Sequence, residues 1–285
     1  MSESSLLSVE DLHVSYHTPT GLVRAVKGVS FELGREKLGI VGESGSGKSQ
    51  TGRAILGLTA PGGEVRARRV EFEGTDLLHA DKATMREIRG GGISMIMQDP
   101  KYSLNPVMTV GRQIEEAFLI HSKDSKSEAR RRTLEMLRAV RIREPERVYR
   151  AYPHEVSGGM GQRIMIAMMM IPEPSIIIAD EPTSALDVTV QLQVLAVLDD
   201  MINERGMGLI FISHDLNLVA SFCDRILIMY GGQVMEECRA ADLHNAQHPY
   251  TRGLLDCLPS LDQPQHELSV LKRDPAWLQT RGESS

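Results

Sequence analysis

Apolar and polar residues alternate through the first third of the chain with the period of a half-buried strand. Leu12, Val14 and Tyr16 fall on one face, then Val29, Phe31 and Leu33, then Val70 and Phe72. Antiparallel strands are predicted there. Between them, residues 38–41 form a short apolar strand that runs into a glycine-rich turn; a helix follows through Leu58 and is stopped by Pro61-Gly62-Gly63. From about Asp99 to Val156 the period becomes helical: Ile114, Ala117 and Phe118 share a face, and a second helix is predicted over 129–140. This charge-rich stretch, about residues 99–165, reads as an inserted helical subdomain. Two apolar runs, 175–179 and 209–212, bracket an amphipathic segment over 190–205, the pattern of buried parallel strands joined by a crossover helix. Residues 226–230 and 233–237 flank Gly231-Gly232, a two-residue hairpin signal. Beyond Pro259 the chain is polar and weakly patterned, and no domain is read there.

Composition narrows the class. A chain of 285 residues with 41% hydrophobic and 25% charged residues is an ordinary globular composition, which excludes disorder, collagen and coiled coil. At roughly 150 residues per domain it makes about two compact units, or one large α/β domain with subdomains. Thirty-two basic against 38 acidic residues leave a net charge of −6. Binding nucleic acid requires a clustered Lys/Arg excess, so nucleic acid is not an expected partner. Residues 123–150 run the other way, ten basic less five acidic giving a local +5. That segment reads as a solvated helix face, or as a surface for a membrane partner or an anionic ligand.

Cys223, Cys238 and Cys257 are 15 and 19 residues apart, which matches no close-spaced metal pattern and leaves an odd thiol, so a reducing compartment is expected. The N-terminus carries acids where a secretion signal needs bases. The longest apolar run, 164–171, is eight residues long, far short of the ~20 that cross a bilayer, so any membrane business goes through a partner. Methionines 160, 165, 168, 169 and 170 read as core filling on a buried helix.

Three elements carry chemistry. Gly42-Glu43-Ser44-Gly45-Ser46-Gly47-Lys48-Ser49, with Gln50 after it, is the G-x-x-x-x-G-K-[ST] phosphate loop, placed as its mechanism requires between a strand and a helix. Its glycines let backbone N–H groups turn inward around phosphate oxygens, Lys48 neutralises β/γ charge, and Ser49 supplies an oxygen for Mg²⁺. Second, the apolar run at 175–179 ends in Asp180-Glu181, and strand ends are where open α/β sheets place ligands. Asp180 is expected to hold the Mg²⁺ that bridges the phosphates, and Glu181 to polarise the water that attacks the γ-phosphate. Third, Ser157, Gly158 and Gly159 precede a helix over 160–170 and form another anion site. One phosphate loop already cradles its own nucleotide, so the second site points to binding across a dimer interface.

The order of phosphate loop, Gln98, Ser157-Gly158-Gly159, Asp180-Glu181, Ser184-Ala185-Leu186-Asp187 and His214 resembles the nucleotide-binding subunit of an ATP-binding cassette (ABC) transporter, over about residues 7–260. Gln98-Asp99-Pro100, Ser103-Leu104-Asn105-Pro106, Ala185 through Gln191 and His248-Pro249-Tyr250-Thr251 are similar to the oligopeptide/dipeptide/nickel importer ATPases. Val156 and Gly161 depart from the usual pattern around the signature. Many relatives carry a cysteine-rich tail that can hold an iron–sulfur cluster; only Cys257 lies beyond the HPYT segment here, and no cluster is expected.

The resemblance implies an α/β fold: a P-loop NTPase of ABC type, with a RecA-like core, an antiparallel β subdomain, an inserted α-helical subdomain and a tail at 261–285. It implies that Tyr16 stacks on adenine, that Gln98 touches Mg²⁺ and senses a permease, that Asp187 crosses a dimer interface, and that His214 contacts the γ-phosphate. It implies ATP and Mg²⁺ as cofactors, and a second ABC ATPase subunit, a copy or a relative, in a head-to-tail dimer. Two transmembrane permease subunits and an extracytoplasmic solute-binding protein complete the assembly, which seats this chain peripherally on the cytoplasmic face of the inner membrane. The solute expected first is a di- or oligopeptide, with nickel complexes, opines and other small solutes as alternatives. A soluble ABC ATPase of DNA repair or translation shares every nucleotide residue but usually carries a long coiled-coil insertion or duplicated cassettes. A P-loop kinase explains the first motif but not the Ser157 segment.

Overall fold

A computed structural model describes residues 5–184 and 186–257 together with Asp274 and Trp277. The remainder of the 261–285 tail lies outside the described residues. In chain order the elements are β1 (Leu7–Thr18), β2 (Gly21–Leu33), β3 (Lys37–Val41), α1 (Lys48–Ile55), β4 (Gly63–Arg66), β5 (Arg69–Phe72) and β6 (Thr75–Asp76). Then come α2 (Lys82–Glu87), β7 (Ile93–Ile96), α3 (Pro100–Ser103), α4 (Val110–His121), α5 (Lys126–Ala139), α6 (Pro145–Arg150), α7 (Gly158–Met170) and β8 (Ile176–Asp180). The last are α8 (Val188–Arg205), β9 (Gly208–Ser213), α9 (Leu216–Phe222), β10 (Arg225–Tyr230), β11 (Gln233–Arg239) and α10 (Pro249–Asp256). The chain divides into two compact units, Met1–Leu78 with Ile210–Ser285, and His79–Leu209.

The first unit contains the antiparallel sheet that the alternation predicts, in the order β2-β1-β5-β6 with β4 also on β1. Strand β1 pairs with β2 from Leu7↔Leu33 to Thr18↔Gly21. Its register shifts between Val9 and Leu12, where Asp11 takes a φ of 55°. This bulge adds one residue and resets the pleat. Leu7 and Val9 before it, and Leu12 and Val14 after it, are therefore all buried although one pair is odd-numbered and the other even. A second sheet in this unit runs β11-β10-β3-β9, the unit taking β9 from Ile210 onward. Strands β3 and β10 are parallel, with Ile226 opposite Gly39 and Ile228 opposite Val41. The Gly231-Gly232 hairpin forms as predicted, Tyr230 pairing with Gln233 and both glycines at positive φ.

Helix α1 ends three residues earlier than predicted. Gly57 takes a φ of 59°, its N–H donates to the Ala54 carbonyl at 3.0 Å, and the Leu58 N–H donates to the Arg53 carbonyl at 2.8 Å. These two bonds are the Schellman stop, which satisfies carbonyls the helix leaves open. Gly57, not the Pro61 cluster, ends the helix.

In the second unit β7 and β8 are parallel, Ile93 opposite Ile176 and Ile96 opposite Ala179, and every residue of both strands is buried. Burial on both faces is why these strands read as continuous apolar runs rather than alternating ones. Helix α4 buries Val110 and Ile114, and α5 buries Ala129, Met136 and Leu137, which gives the predicted pair of helices a common apolar seam. The arginines of the +5 segment are largely paired with acids: Arg131 with Glu128 and Glu135, Arg132 with Glu128, Arg138 with Glu146, Arg141 with Asp200 and Arg147 with Glu144. Exposed pairs of this kind contribute at most about 1 kcal/mol each. Helix α7 starts at Gly158, two residues before the predicted start, because Ser157 already caps it. Along it Met165 and Met170 are fully buried, while Met160, Met168 and Met169 are half-buried.

Candidate functional site

The phosphate loop connects β3, whose last four residues are buried, to α1. Gly47 stands at the helix N-cap with a φ of 98°. A Cβ there would lie 2.4 Å from the Ala25 carbonyl oxygen, so this position accepts only glycine without a shift of backbone. The loop is closed on itself and braced by the hairpin turn, which Lys27 holds in turn. Gly232 N–H donates to Ser46 O at 3.1 Å, Lys27 N–H donates to Gly232 O at 2.8 Å, and Ser46 N–H donates to Glu43 O at 3.2 Å.

Inside the loop the buried Lys48 ammonium donates to Gly42 O at 2.7 Å, to Glu43 O at 2.9 Å and to Ser46 Oγ at 3.4 Å. Its charge is thereby held within the turn. Ser44 and Gly45 form the exposed tip, and Ser49 and Gln50 begin the helix, half-buried. The Tyr16 hydroxyl donates to the Gln50 amide oxygen at 2.5 Å, joining β1 to α1 beside the loop. His214 follows β9, the neighbour of β3 in the sheet, and is exposed; the next residue, Asp215, caps α9 by accepting from Leu218 N–H at 3.1 Å.

The second unit gathers the remaining candidates. Asp180 ends β8 and is 4% exposed. Glu181 follows with a φ of 47°, a conformation uncommon outside glycine and kept where the surroundings impose it. Gln98 donates through Nε2 to Glu181 Oε2 at 3.2 Å. The parallel register explains that meeting: Ile96 lies opposite Ala179, so two residues further on Gln98 and Glu181 emerge from the same end of the strand pair.

Ser157 and Asp187 both cap helices, Ser157 Oγ accepting from Met160 N–H at 3.4 Å and Asp187 Oδ1 from Val190 N–H at 3.0 Å. The two helix starts touch, for a Cβ on Gly159 would meet Val190 Cγ1 at 2.4 Å, and one on Gly158 would meet Leu186 at 3.9 Å. Arg163, one turn along α7, donates to the Gly159 carbonyl at 3.2 Å. Burial, with Arg143 and Arg141 close by, pushes its guanidinium below the ordinary arginine range.

A strand-to-helix turn holding a caged lysine and a buried strand ending in Asp-Glu are the parts of a nucleotide triphosphatase. The sequence profile of the family described as "ABC transporter" matches residues 26–184. The chain belongs to the ABC transporter family. As an ABC ATPase it binds and hydrolyses ATP, and its α/β phosphate-loop fold is the one the sequence predicts.

A second profile, "Oligopeptide/dipeptide transporter, C-terminal region", matches residues 235–283. The ABC chain is 48% identical over 273 residues to the dipeptide transport ATP-binding protein DppD of Bacillus subtilis, covering 95% of this chain and 82% of that protein. It is 45% identical over 272 residues to the oligopeptide transport ATP-binding protein OppD of Salmonella typhimurium, covering 95% and 81% respectively. Among solved structures it is similar to the ATP-binding cassette MJ0796 in a dimeric post-hydrolysis state bound to ADP and Pi, with a TM-score of 0.73, 28% identity, and coverage of 82% of this chain and 98% of that one. The chain cbiO1 from Clostridium perfringens, part of the ABC transporter complex cbiONQ, gives a TM-score of 0.73 at 25% identity over 85% and 92% of the two chains.

Sequence reasoning missed two residues, one in each unit, that the structure places against candidate groups. Gln162 is 1% exposed and donates to the Pro182 carbonyl, pinning the turn just after Glu181. Tyr250 accepts a hydrogen bond from the phosphate loop itself, Glu43 N–H to Tyr250 Oη at 3.4 Å. The HPYT string was the available signal for Tyr250, but it carries no hint of where in space it lands.

Proposed function

We propose that this chain is the ATP-hydrolysing subunit that powers an importer of dipeptides or oligopeptides. The observation that carries the reading is the 45–48% identity, along 95% of the chain, to ATP-binding proteins named for dipeptide and oligopeptide transport. The match of residues 235–283 to a region named for the same transporters supports it.

In this reading the turn over residues 42–49 receives the ATP phosphates on its backbone N–H groups, and Lys48 turns its ammonium from the loop carbonyls to the β- and γ-phosphates. Tyr16 stacks on adenine, with Gln50 holding its hydroxyl. Ser49, Asp180 and Gln98 offer oxygen donors suited to Mg²⁺, which takes a carboxylate or two together with substrate phosphates rather than an all-protein cage. When bound, that ion neutralises the charge shared by the β- and γ-phosphates. Glu181 accepts a proton from the water that attacks the γ-phosphate, Gln98 orients its carboxylate, and His214 donates to the γ-phosphate oxygens.

The same reading pairs two ATPase subunits head to tail, so that Ser157, Gly158 and Gly159 of one chain meet the γ-phosphate held by the other, with Asp187 crossing between them. Removal of the γ-phosphate then releases the pair, the kind of ligand-held switch that turns chemistry into motion. Among the described residues no helix is long and apolar enough to cross a membrane. Two permease subunits therefore supply the pathway, an extracytoplasmic binding protein delivers the solute, and this chain sits peripherally on the cytoplasmic face.

The test is reconstitution of this chain with its permeases and binding protein in vesicles. Peptide-loaded binding protein should raise ATP hydrolysis and drive peptide uptake. Stimulation by a nickel complex or an opine with none by peptides would overturn the choice of solute. Hydrolysis indifferent to every permease and binding protein would overturn the transport role.

A further inference from the structure

Within the region matched to the transporter C-terminal profile, Tyr250 reaches the phosphate loop through its hydroxyl. Tyr250 is 0% exposed, the largest fully buried side chain of the chain's described residues. A buried tyrosine hydroxyl needs hydrogen-bonding partners, and it accepts here from the N–H of Glu43, at 3.4 Å. The carbonyl of that same residue accepts from Lys48 Nζ at 2.9 Å. Both backbone groups of Glu43 are therefore engaged, one by Tyr250 and the other by the lysine that the loop presents to phosphate.

The hydroxyl is held in place from behind. Glu236 on β11 accepts from the N–H groups of Gln247 at 2.6 Å and His248 at 3.2 Å. His248 Nδ1 in turn accepts from Tyr250 N–H at 3.1 Å, capping α10. The Tyr250 ring packs against Tyr230 at 4.7 Å between centroids and against Trp277 at 5.7 Å. Tyr230 immediately precedes the hairpin turn whose Gly232 N–H holds Ser46 O. Two supports thus converge on one short loop, the hairpin at Ser46 and Tyr250 at Glu43.

We infer that Tyr250 is a positioning residue for ATP binding: its hydroxyl fixes the Glu43 peptide and so presets the phosphate loop and the Lys48 ammonium it cages. The inference rests on the reading that residues 42–49 receive the phosphates of ATP. It gives the C-terminal region a task inside the ATPase site itself. Loss of the hydroxyl removes the bond to the Glu43 N–H, and the net contribution of a hydrogen bond, at tenfold per 1.4 kcal/mol, corresponds to about a 2- to 10-fold change in an equilibrium constant.

The experiment compares the full-length chain with Tyr250→Phe, Glu236→Gln and Lys48→Ala. MgATP affinity is measured by calorimetry and by the fluorescence of Trp277, the chain's single tryptophan, which packs edge-on to Tyr250 and Tyr230. Hydrogen exchange over residues 42–48 is followed without nucleotide. Tyr250→Phe should weaken MgATP binding about 2- to 10-fold and speed exchange in the loop, while leaving the melting temperature of the nucleotide-free chain within about 2 °C. Glu236→Gln, which loosens the anchor behind α10, should move both readouts in the same direction by less. Unchanged affinity and exchange in both variants would overturn the inference, as would a fall in melting temperature with affinity unchanged. The underlying reading fails separately, and visibly, if Lys48→Ala binds MgATP as tightly as the native chain.

Discussion

The amide of Gln98 donates to the carboxylate of Glu181 at 3.2 Å, although 83 residues separate them in the chain. One residue lies two positions beyond β7 and the other just past β8, and the paired ends of those strands bring them together. The carboxylate is thereby oriented. Glu181→Gln preserves the shape and an acceptor for the Gln98 amide but cannot serve as a base. Its ATP hydrolysis is expected to fall about 10²- to 10⁴-fold with MgATP binding retained. Steady-state turnover beside a binding titration checks this; turnover within threefold of native would remove Glu181 from the role.

Gly47→Ala is expected to damage the loop by geometry alone. The new Cβ would lie 2.4 Å from the Ala25 carbonyl oxygen on a backbone at φ 98°. Strain of this kind costs on the order of 1–3 kcal/mol. Denaturant unfolding should show that loss, and MgATP affinity should drop with it. A variant as stable as the native chain would mean that the loop relaxes freely, contrary to the supports at Ser46 and Glu43.

Asp187 has a local duty and a proposed distant one, and two substitutions separate them. As N-cap of α8 it accepts from Val190 N–H at 3.0 Å. Asp187→Ala should cost about 1 kcal/mol of stability, whereas Asp187→Asn, an equally good cap, should cost almost nothing. Both should lower the fraction of chain that pairs in MgATP when hydrolysis is blocked, as measured by light scattering. Native-like pairing by the Asn variant would confine Asp187 to capping.

Cys223 is buried against Gly39 in β3, and burial first, then the negative charge of Asp224, pushes its thiol up to about 12. The folded chain holds the proton that an unfolded chain releases near pH 8.5. This contribution to stability is complete below that pH and declines as pH rises from about 8.5 towards 12. Native protein at pH 8 should therefore leave Cys223 unmodified by iodoacetamide and react there only after unfolding, as peptide mapping will show. Rapid modification of the folded chain would contradict the burial.

Much of this protein was legible from residue order because its signals are local. Strand alternation, the glycines and lysine of the phosphate loop, the Asp-Glu after an apolar run and the two-glycine hairpin each depend on neighbours within about ten residues, where backbone sterics and capping operate. Even here tertiary or conformational detail intervened: a bulge at Asp11 shifted which residues of β1 face inward, and the left-handed Gly57 closed α1 before the proline cluster did.

What only the folded chain decided is which distant groups share a bond. No spacing rule relates Gln98 to Glu181, Gln162 to Pro182, or Glu43 to Tyr250, the last pair 207 residues apart. Those contacts follow from strand register and from how a buried hydroxyl or amide satisfies itself, and both are consequences of packing the whole chain at once. Residue order names the chemical groups; the close-packed interior determines which of them can reach one another.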